Sequence, residues 1–151
     1  MAFDFLHITT SIGELLTTQA RRYPDRNFLL SDEHCWTYAE AEEQATALAS
    51  GLRGLGLQTG DRLAVILPNS PAYVITLFAA AKAGVILNPI NVRRHKSEVS
   101  SRLAKTRPTA ILTNAEHLET INELRGDFPE LKHLISVDGG AGVIAWNDLV
   151  A

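Results

Sequence analysis

Hydrophobic positions along this chain change their period several times, and each change marks a new element. From residue 60 to 91 the run GDRLAVILPNSPAYVITLFAAAKAGVILNPIN reads as strand, capped helix and strand. The unbroken apolar stretch Leu63 to Leu67 predicts a parallel strand covered on both faces. Pro68 stops it. Asn69 or Ser70 then offers an oxygen to an orphan N–H of a helix whose first turn holds Pro71, where the missing N–H costs nothing. That helix is expected to run to about Ala83, to bury Val74, Leu77, Phe78 and Ala81 as one stripe, and to stop at a left-handed Gly84. Val85 to Leu87 follows as the next strand. The spacing predicts a βαβ unit with parallel strands and a right-handed connection.

The flanking pattern extends the same scheme. Ser11 and Glu14 form a capping-box pattern, and Ile12, Leu15, Leu16 and Ala20 predict one apolar helix face that ends at Tyr23-Pro24. Asn27 to Ser31 and His34 to Thr37 read as short strands joined by a turn at Asp32-Glu33, which predicts a hairpin. Thr37 and Glu40 are a second capping box. It opens a long helix with a stripe of Ala41, Ala45, Leu48, Leu52 and Leu55, ended by Gly54 and Gly56. Beyond Asn91 the pattern predicts a helix carrying Val99 and Leu103 that stops before Pro108, then a strand from Thr109 to Thr113. Asn114 is placed to cap a helix through Leu118, Ile121 and Leu124, and Leu134 to Val137 and Val143 to Trp146 are the last strands. The order βαβαβαβ behind a helix and a hairpin predicts an α/β fold, a doubly wound, mostly parallel sheet flanked by helices. Residues 1–151 show no linker or repeat and read as a single α/β subdomain.

Composition narrows the classes without naming a function. With 151 residues, 46% of them hydrophobic, the chain is large enough to bury a core without disulfides or metal. A net charge of -3 provides no basic field for nucleic acid. No run approaches the ~20 apolar residues of a membrane span, and the start MAFDFLHITT has no basic segment ahead of an apolar core. The one cysteine, Cys35, cannot form an internal disulfide and reads as a buried small hydrophobe in a strand. A soluble, cytoplasmic protein is the expectation.

Candidate chemistry is sparse. Asp138-Gly139-Gly140-Ala141-Gly142 resembles a phosphate loop in its glycines alone. It lacks Lys and Ser/Thr, and a strand is expected after it, so a plain turn is favoured. The basic run Arg93 to Lys96 is favoured as solvated surface over a phosphate contact. His7, His34, His95, His117 and His133 are scattered and show no metal-ligand spacing. Lys82 is assigned to the C-terminal end of its helix dipole, and Glu40, Glu42 and Glu43 to the N-terminal turn of theirs. No catalytic, cofactor-binding or metal-ligating residue is nominated.

Several of these segments resemble the N-terminal region of the adenylate-forming (AMP-binding) enzymes, which include acyl- and aryl-CoA synthetases, peptide-synthetase adenylation domains and luciferases. Trp36-Thr37-Tyr38-Ala39-Glu40 is similar to the family's first core motif. The stretch from Gly56 to Ser70, with Gly60-Asp61-Arg62 and Pro68-Asn69, and the stretch from Ala81 to Asn91 are similar to the next conserved segments. Asn88-Pro89 leans towards the acyl-CoA ligases. Tyr23-Pro24-Asp25-Arg26 and Trp146-Asn147-Asp148-Leu149 also sit where the family has similar residues.

The resemblance implies the opening portion of an enzyme that uses ATP and Mg²⁺ to adenylate a carboxylic acid and passes the acyl group to coenzyme A. It also implies that the phosphate loop, metal-binding Glu, ribose-binding Asp and mobile Lys lie elsewhere, so no cofactor site is expected in this chain. An Arg that some members use for coenzyme A has no counterpart in Asn114-Ala115-Glu116-His117-Leu118-Glu119. The leading expectation is an N-terminal fragment of an AMP-forming acyl-CoA ligase, inactive alone, arising by design, proteolysis or gene truncation. The alternative is a truncated stand-alone paralogue that acts as an interaction module or homo-oligomer by pairing its unfinished sheet. A small nucleotide-binding domain is disfavoured, because no strand-to-helix turn carries a Gly-rich fingerprint.

Overall fold

The computed structural model describes residues 11–31, 34–91 and 95–151. Helix α1 (Ile12–Arg22) precedes an antiparallel hairpin of β1 (Asn27–Leu30) and β2 (Cys35–Thr37). Then come α2 (Tyr38–Gly54), β3 (Arg62–Ile66), α3 (Pro71–Ala83), β4 (Ile86–Pro89), α4 (Lys96–Thr106), β5 (Ala110–Thr113), α5 (Ala115–Leu124), β6 (His133–Ser136), β7 (Ile144–Ala145) and α6 (Trp146–Val150). The second sheet is entirely parallel in the order β4-β3-β5-β6-β7. The doubly wound architecture is as expected.

Strand alternation divides the core into two layers. Leu63, Val65, Leu67, Ala110, Leu112 and Ile135 join α1, α2, α3 and α6, while Ala64, Ile66, Ile111 and Leu134 join α4, α5 and the 3₁₀ turn Arg125–Asp127 with Phe128 and Leu131. Both faces are covered, which is why the strands carry no polar alternation. Buried alanines at 41, 45 and 49 on α2 and at 79, 80 and 83 on α3 let these two helices pack closely.

The predicted caps hold at three helices. Ser11 accepts from Glu14 N–H, Thr37 from Glu40 N–H, and Ser70 from Tyr73 N–H; the first two are reciprocated by the glutamate as capping boxes. Gly84 closes α3 at φ 74°. A Cβ there would stand 2.8 Å from Thr59 Oγ1, so both conformation and space require glycine.

Five details differ from the sequence expectation. The buried side of α3 is Ile75, Thr76, Ala79, Ala80 and Ala83, one residue round from the expected stripe. That helix is apolar on nearly every face, so periodicity has no contrast and packing against α2 sets the rotation. Ile12 and Leu15 stay exposed, and α1 buries Gly13, Leu16 and Ala20 instead. The last strand is only Ile144–Ala145, and Trp146 starts α6. Cys35 is half-buried, because a two-stranded hairpin has little to cover it. Asn114 occupies the cap position of α5 without making the cap bond. The turn at 32–33, Arg93 and Arg94 of the basic run, and His7 lie outside the described residues.

Candidate functional site at the carboxyl ends of the strands

The chain leaves β3 for β4 on one side and returns to β5 on the other. In a doubly wound sheet this reversal opens a crevice outside the carboxyl ends of the two central strands. Leu67-Pro68 after β3, Asn114 after β5 and Val137-Asp138 after β6 form its floor. Trp146 of α6, Gln44 of α2, and Ser31 and Trp36 of the hairpin form its walls, enclosing about 710 Å³. A second hollow of about 540 Å³ lies across Leu67-Pro68, against Tyr73, Pro89, Ile90 and Asn91.

Local sequence explains how the crevice is built. Asp138 Oδ2 accepts Ala115 N–H at 2.7 Å and so caps α5 in place of Asn114. Its own N–H donates to Ser136 Oγ at 3.3 Å. Gly139, Gly140 and Gly142, at φ 70°, 137° and 73°, then turn the chain back within a few residues so that β7 pairs parallel to β6. Parallel neighbours normally need a much longer crossover, and left-handed glycines make the short one feasible. The glycines of this loop are thus spent on a return, as the plain-turn reading expects.

The displaced cap leaves Asn114 Oδ1 buried without a partner, and Trp146 Nε1 is in the same condition. Among the described residues that line the crevice, Asp138 carries the one charged side chain. No nucleophile is paired with a base there. The described residues hold no cluster of three metal-ligating side chains.

The other residues weighed in the sequence serve structure. Lys82 Nζ reaches Glu42 Oε1 and Thr17 Oγ1, both at 2.7 Å, and ties α1, α2 and α3 together. Lys82 also sits in the last turn of α3, as expected, whereas Glu42 lies beyond the first turn of α2 and serves the ion pair instead of the helix dipole. Glu40 keeps its expected place: its carboxyl is held below the ordinary range by Thr37 N–H and then by the Thr37 hydroxyl. Glu43 is exposed. Lys96 pairs with Glu123, which makes it surface as expected. His34 packs edge-on against Trp36, and His117 is half-buried with an unpartnered Nε2.

Side chains of the Gly60-Asp61-Arg62 turn are equally committed. Asp61 Oδ2 accepts Gln58 N–H at 2.8 Å. Arg62 donates to the carbonyls of Thr106, Gly60 and Arg107 at 3.0, 3.2 and 2.8 Å. Asn88 Nδ2 donates to Thr106 Oγ1 at 2.8 Å. Sequence reasoning missed the pairing of Asn114 with Trp146 at one crevice; an Asp-Gly run after a strand was the visible sign that something other than Asn114 could cap α5.

Residues 16–146 match the AMP-binding enzyme family. A feruloyl-CoA synthase from Amycolatopsis sp is 35% identical over 113 residues, 75% of this chain and 23% of the relative. The mitochondrial medium-chain acyl-CoA ligase ACSF2 of Mus musculus is 39% identical over 100 residues, 65% of this chain and 16% of the relative. The chain therefore spans a quarter or less of the length of these relatives. An inhibitor-bound N-terminal domain of FACL13 from Mycobacterium tuberculosis superposes with a TM-score of 0.84 at 27% identity, covering 94% of this chain and 35% of that one.

Proposed function

The chain belongs to the AMP-binding enzyme family, and from that premise we propose that it forms the scaffold-building opening portion of an AMP-forming acyl-CoA ligase, inactive by itself. In the whole ligase a carboxylic acid and ATP would give an acyl-adenylate, and coenzyme A would then take the acyl group. The observation that carries the reading is the fate of the family-like side chains: Thr37, Glu40, Asp61, Arg62, Ser70 and Asn88 are all engaged in caps, turns and strand-end clamps. Of the six, Ser70 alone also lines the crevice. The residues present also do not fit ATP phosphates, because the Gly139–Gly142 return carries no lysine and follows directly on the carboxylate of Asp138, and the described residues bring no three metal-ligating side chains together for Mg²⁺.

Purified chain supplied with ATP, Mg²⁺, coenzyme A and a panel of carboxylic acids is expected to release no pyrophosphate. Sustained turnover would overturn the proposal.

The interaction-module reading has exposed apolar side chains in its favour, among them Leu30 on the hairpin and Ile86, 54% exposed on the edge strand β4. The same strand argues against it. Ile86 and Ile90 donate their N–H groups to Asp61 and Val65 of the β3 segment, so Leu87 and Pro89 face outward, and Pro89 has no N–H to offer an incoming strand. At the other edge β7 is two residues long. A monomer is expected across a concentration series in sedimentation, and a concentration-dependent dimer would reinstate that reading.

A further inference from the structure

We propose that α1 is a strap that opens and closes over α2 and α3 while the sheet stays folded, and that the Lys82–Glu42 ion pair is the latch that holds it shut. Of its eleven residues only Gly13, Leu16 and Ala20 are buried, whereas Ile12 and Leu15 are 53% and 45% exposed. Its seat on α2 is incomplete. A hollow of about 590 Å³ is lined by Thr17, Ala20 and Arg21 on one side and by Glu42, Glu43 and Thr46 on the other. A segment that buries so little apolar surface opens locally, well below the free energy of global unfolding. The chain just after it is pinned, because Ala39 N–H donates to Pro24 O and Tyr38 N–H to Arg26 O. Movement is thereby confined to α1, with Tyr23 as the hinge.

Lys82 is placed to hold such a segment. A Cβ on Gly13 would stand 2.9 Å from Lys82 Cγ, so the lysine stem lies directly against α1 at that residue. Its ammonium then ends on Thr17 Oγ1, one turn further along α1, and on Glu42 Oε1 of α2. Thr17 Oγ1 also donates to Glu42 Oε1 at 2.7 Å. Among the described residues, the side-chain hydrogen bonds from α1 to α2 and α3 all converge on this pair. The pair is largely withdrawn from water, at 15% and 20% side-chain exposure, and Glu42 Oε2 is buried without a partner. A desolvated carboxylate that uses one oxygen recovers only part of its lost hydration. Opening α1 returns both charges to water, which keeps the closed state only modestly favoured. Removing one partner leaves a lone buried charge and favours opening; removing both favours closure.

Hydrogen exchange of the whole chain, read by mass spectrometry, follows α1 and the sheet separately. In the unmodified chain the amides of Leu16 to Arg22 should be protected at least about tenfold less than those of β3 and β5. Lys82→Met keeps the stem against Gly13 and removes the ammonium; it should lower α1 protection by a further factor of about ten and leave β3 and β5 unchanged. Thr17→Val removes only the hydroxyl at the end of the latch and should act in the same direction by about threefold, and it serves if Lys82→Met fails to fold. Lys82→Met combined with Glu42→Leu should protect α1 better than the unmodified chain does. Equal protection of α1 and the sheet, or a fall in every region together, would overturn the strap, because α1 would then open only with the whole fold. Unchanged α1 protection in Lys82→Met and Thr17→Val, or a double variant no better protected than Lys82→Met alone, would overturn the latch.

Discussion

The two ends of the parallel sheet are built to opposite rules. At the amino ends the polar groups of the strand entries are tied off: Arg62 holds three carbonyls, Gly60 N–H donates to Gly84 O at 2.9 Å, and Ile86 N–H donates to Asp61 O at 2.7 Å. At the carboxyl ends the chain leaves two crevices, and Asn114 Oδ1 and Trp146 Nε1 are unpartnered. The residues that look like family motifs divide between the two ends, with Asp61, Arg62 and Gly84 at the closed end and Trp36, Pro68, Asn91 and Trp146 around the crevices. One end of the molecule therefore secures the fold, and the other leaves open hollows and two buried polar atoms without partners.

The largest effect should come from cutting the clamp at the closed end. Arg62→Ala removes three hydrogen bonds from a charged donor and strips the last carbonyls of α4 of their partner. Charged hydrogen bonds contribute about 1.5–3 kcal/mol each, and solvent access to the guanidinium reduces the sum, so a loss of about 3 kcal/mol is expected. Urea unfolding should show a lower midpoint with an unchanged slope. A loss below about 1 kcal/mol would remove the distinction between the two ends, because it would equal an ordinary surface change.

Gly84→Ala should rank next. A left-handed alanine costs about 1–2 kcal/mol, and the new Cβ would press on Thr59. Adding Thr59→Ala relieves the contact and leaves the backbone strain. The double variant should therefore regain part of the lost stability, and strictly additive losses would mean that space is irrelevant at this junction.

A smaller, pH-dependent effect belongs to Glu130, which accepts Arg107 Nε at 2.9 Å near the entry to β6. The Arg107 hydrogen bond, followed by a backbone hydrogen bond within Glu130, holds its carboxyl below the ordinary value of 4.5. A depressed carboxyl stabilises the fold above the unfolded-state value, and that contribution disappears as pH falls through the folded-state value. Glu130→Gln should lower the neutral plateau of the unfolding midpoint slightly and flatten the acid limb, so that the two proteins converge at low pH. An identical acid limb in the variant would show that the pair does nothing in solution.

Elements governed by local chemistry could be read directly from the sequence. Ser11, Thr37, Ser70, Pro71 and Gly84 announce helix ends through short-range hydrogen bonds and backbone preference, and the apolar runs around Leu63 and Ile111 announce strands covered on both faces. Features set by tertiary contact could not be read. The rotation of α3 depends on α2, the Lys82–Glu42–Thr17 junction joins residues on three helices, and the strand assigned to Val143–Trp146 gives up Trp146 to a helix. The crevice belongs to this second group. Asn114 and Trp146, 32 positions apart by number (146 minus 114), line a common hollow only through the order of strands in the sheet.

The smallest expected change is also the most discriminating. Thr37 and Asn114 occupy the same formal position at the start of α2 and α5, and both are good capping residues by type. Thr37 Oγ1 accepts Glu40 N–H at 3.2 Å, so Thr37→Ala should cost about 1 kcal/mol. Asn114 makes no cap bond, because Asp138 has taken the Ala115 N–H, and its buried Oδ1 is a liability in the empty molecule. Asn114→Ala should therefore change stability by no more than about 0.5 kcal/mol, with a slight gain as the limiting case. Equal losses in urea unfolding at the two positions would mean that Asn114 caps its helix after all. A near-zero value at 114 beside a full cap loss at 37 would mark Asn114 as a side chain that the fold does not use.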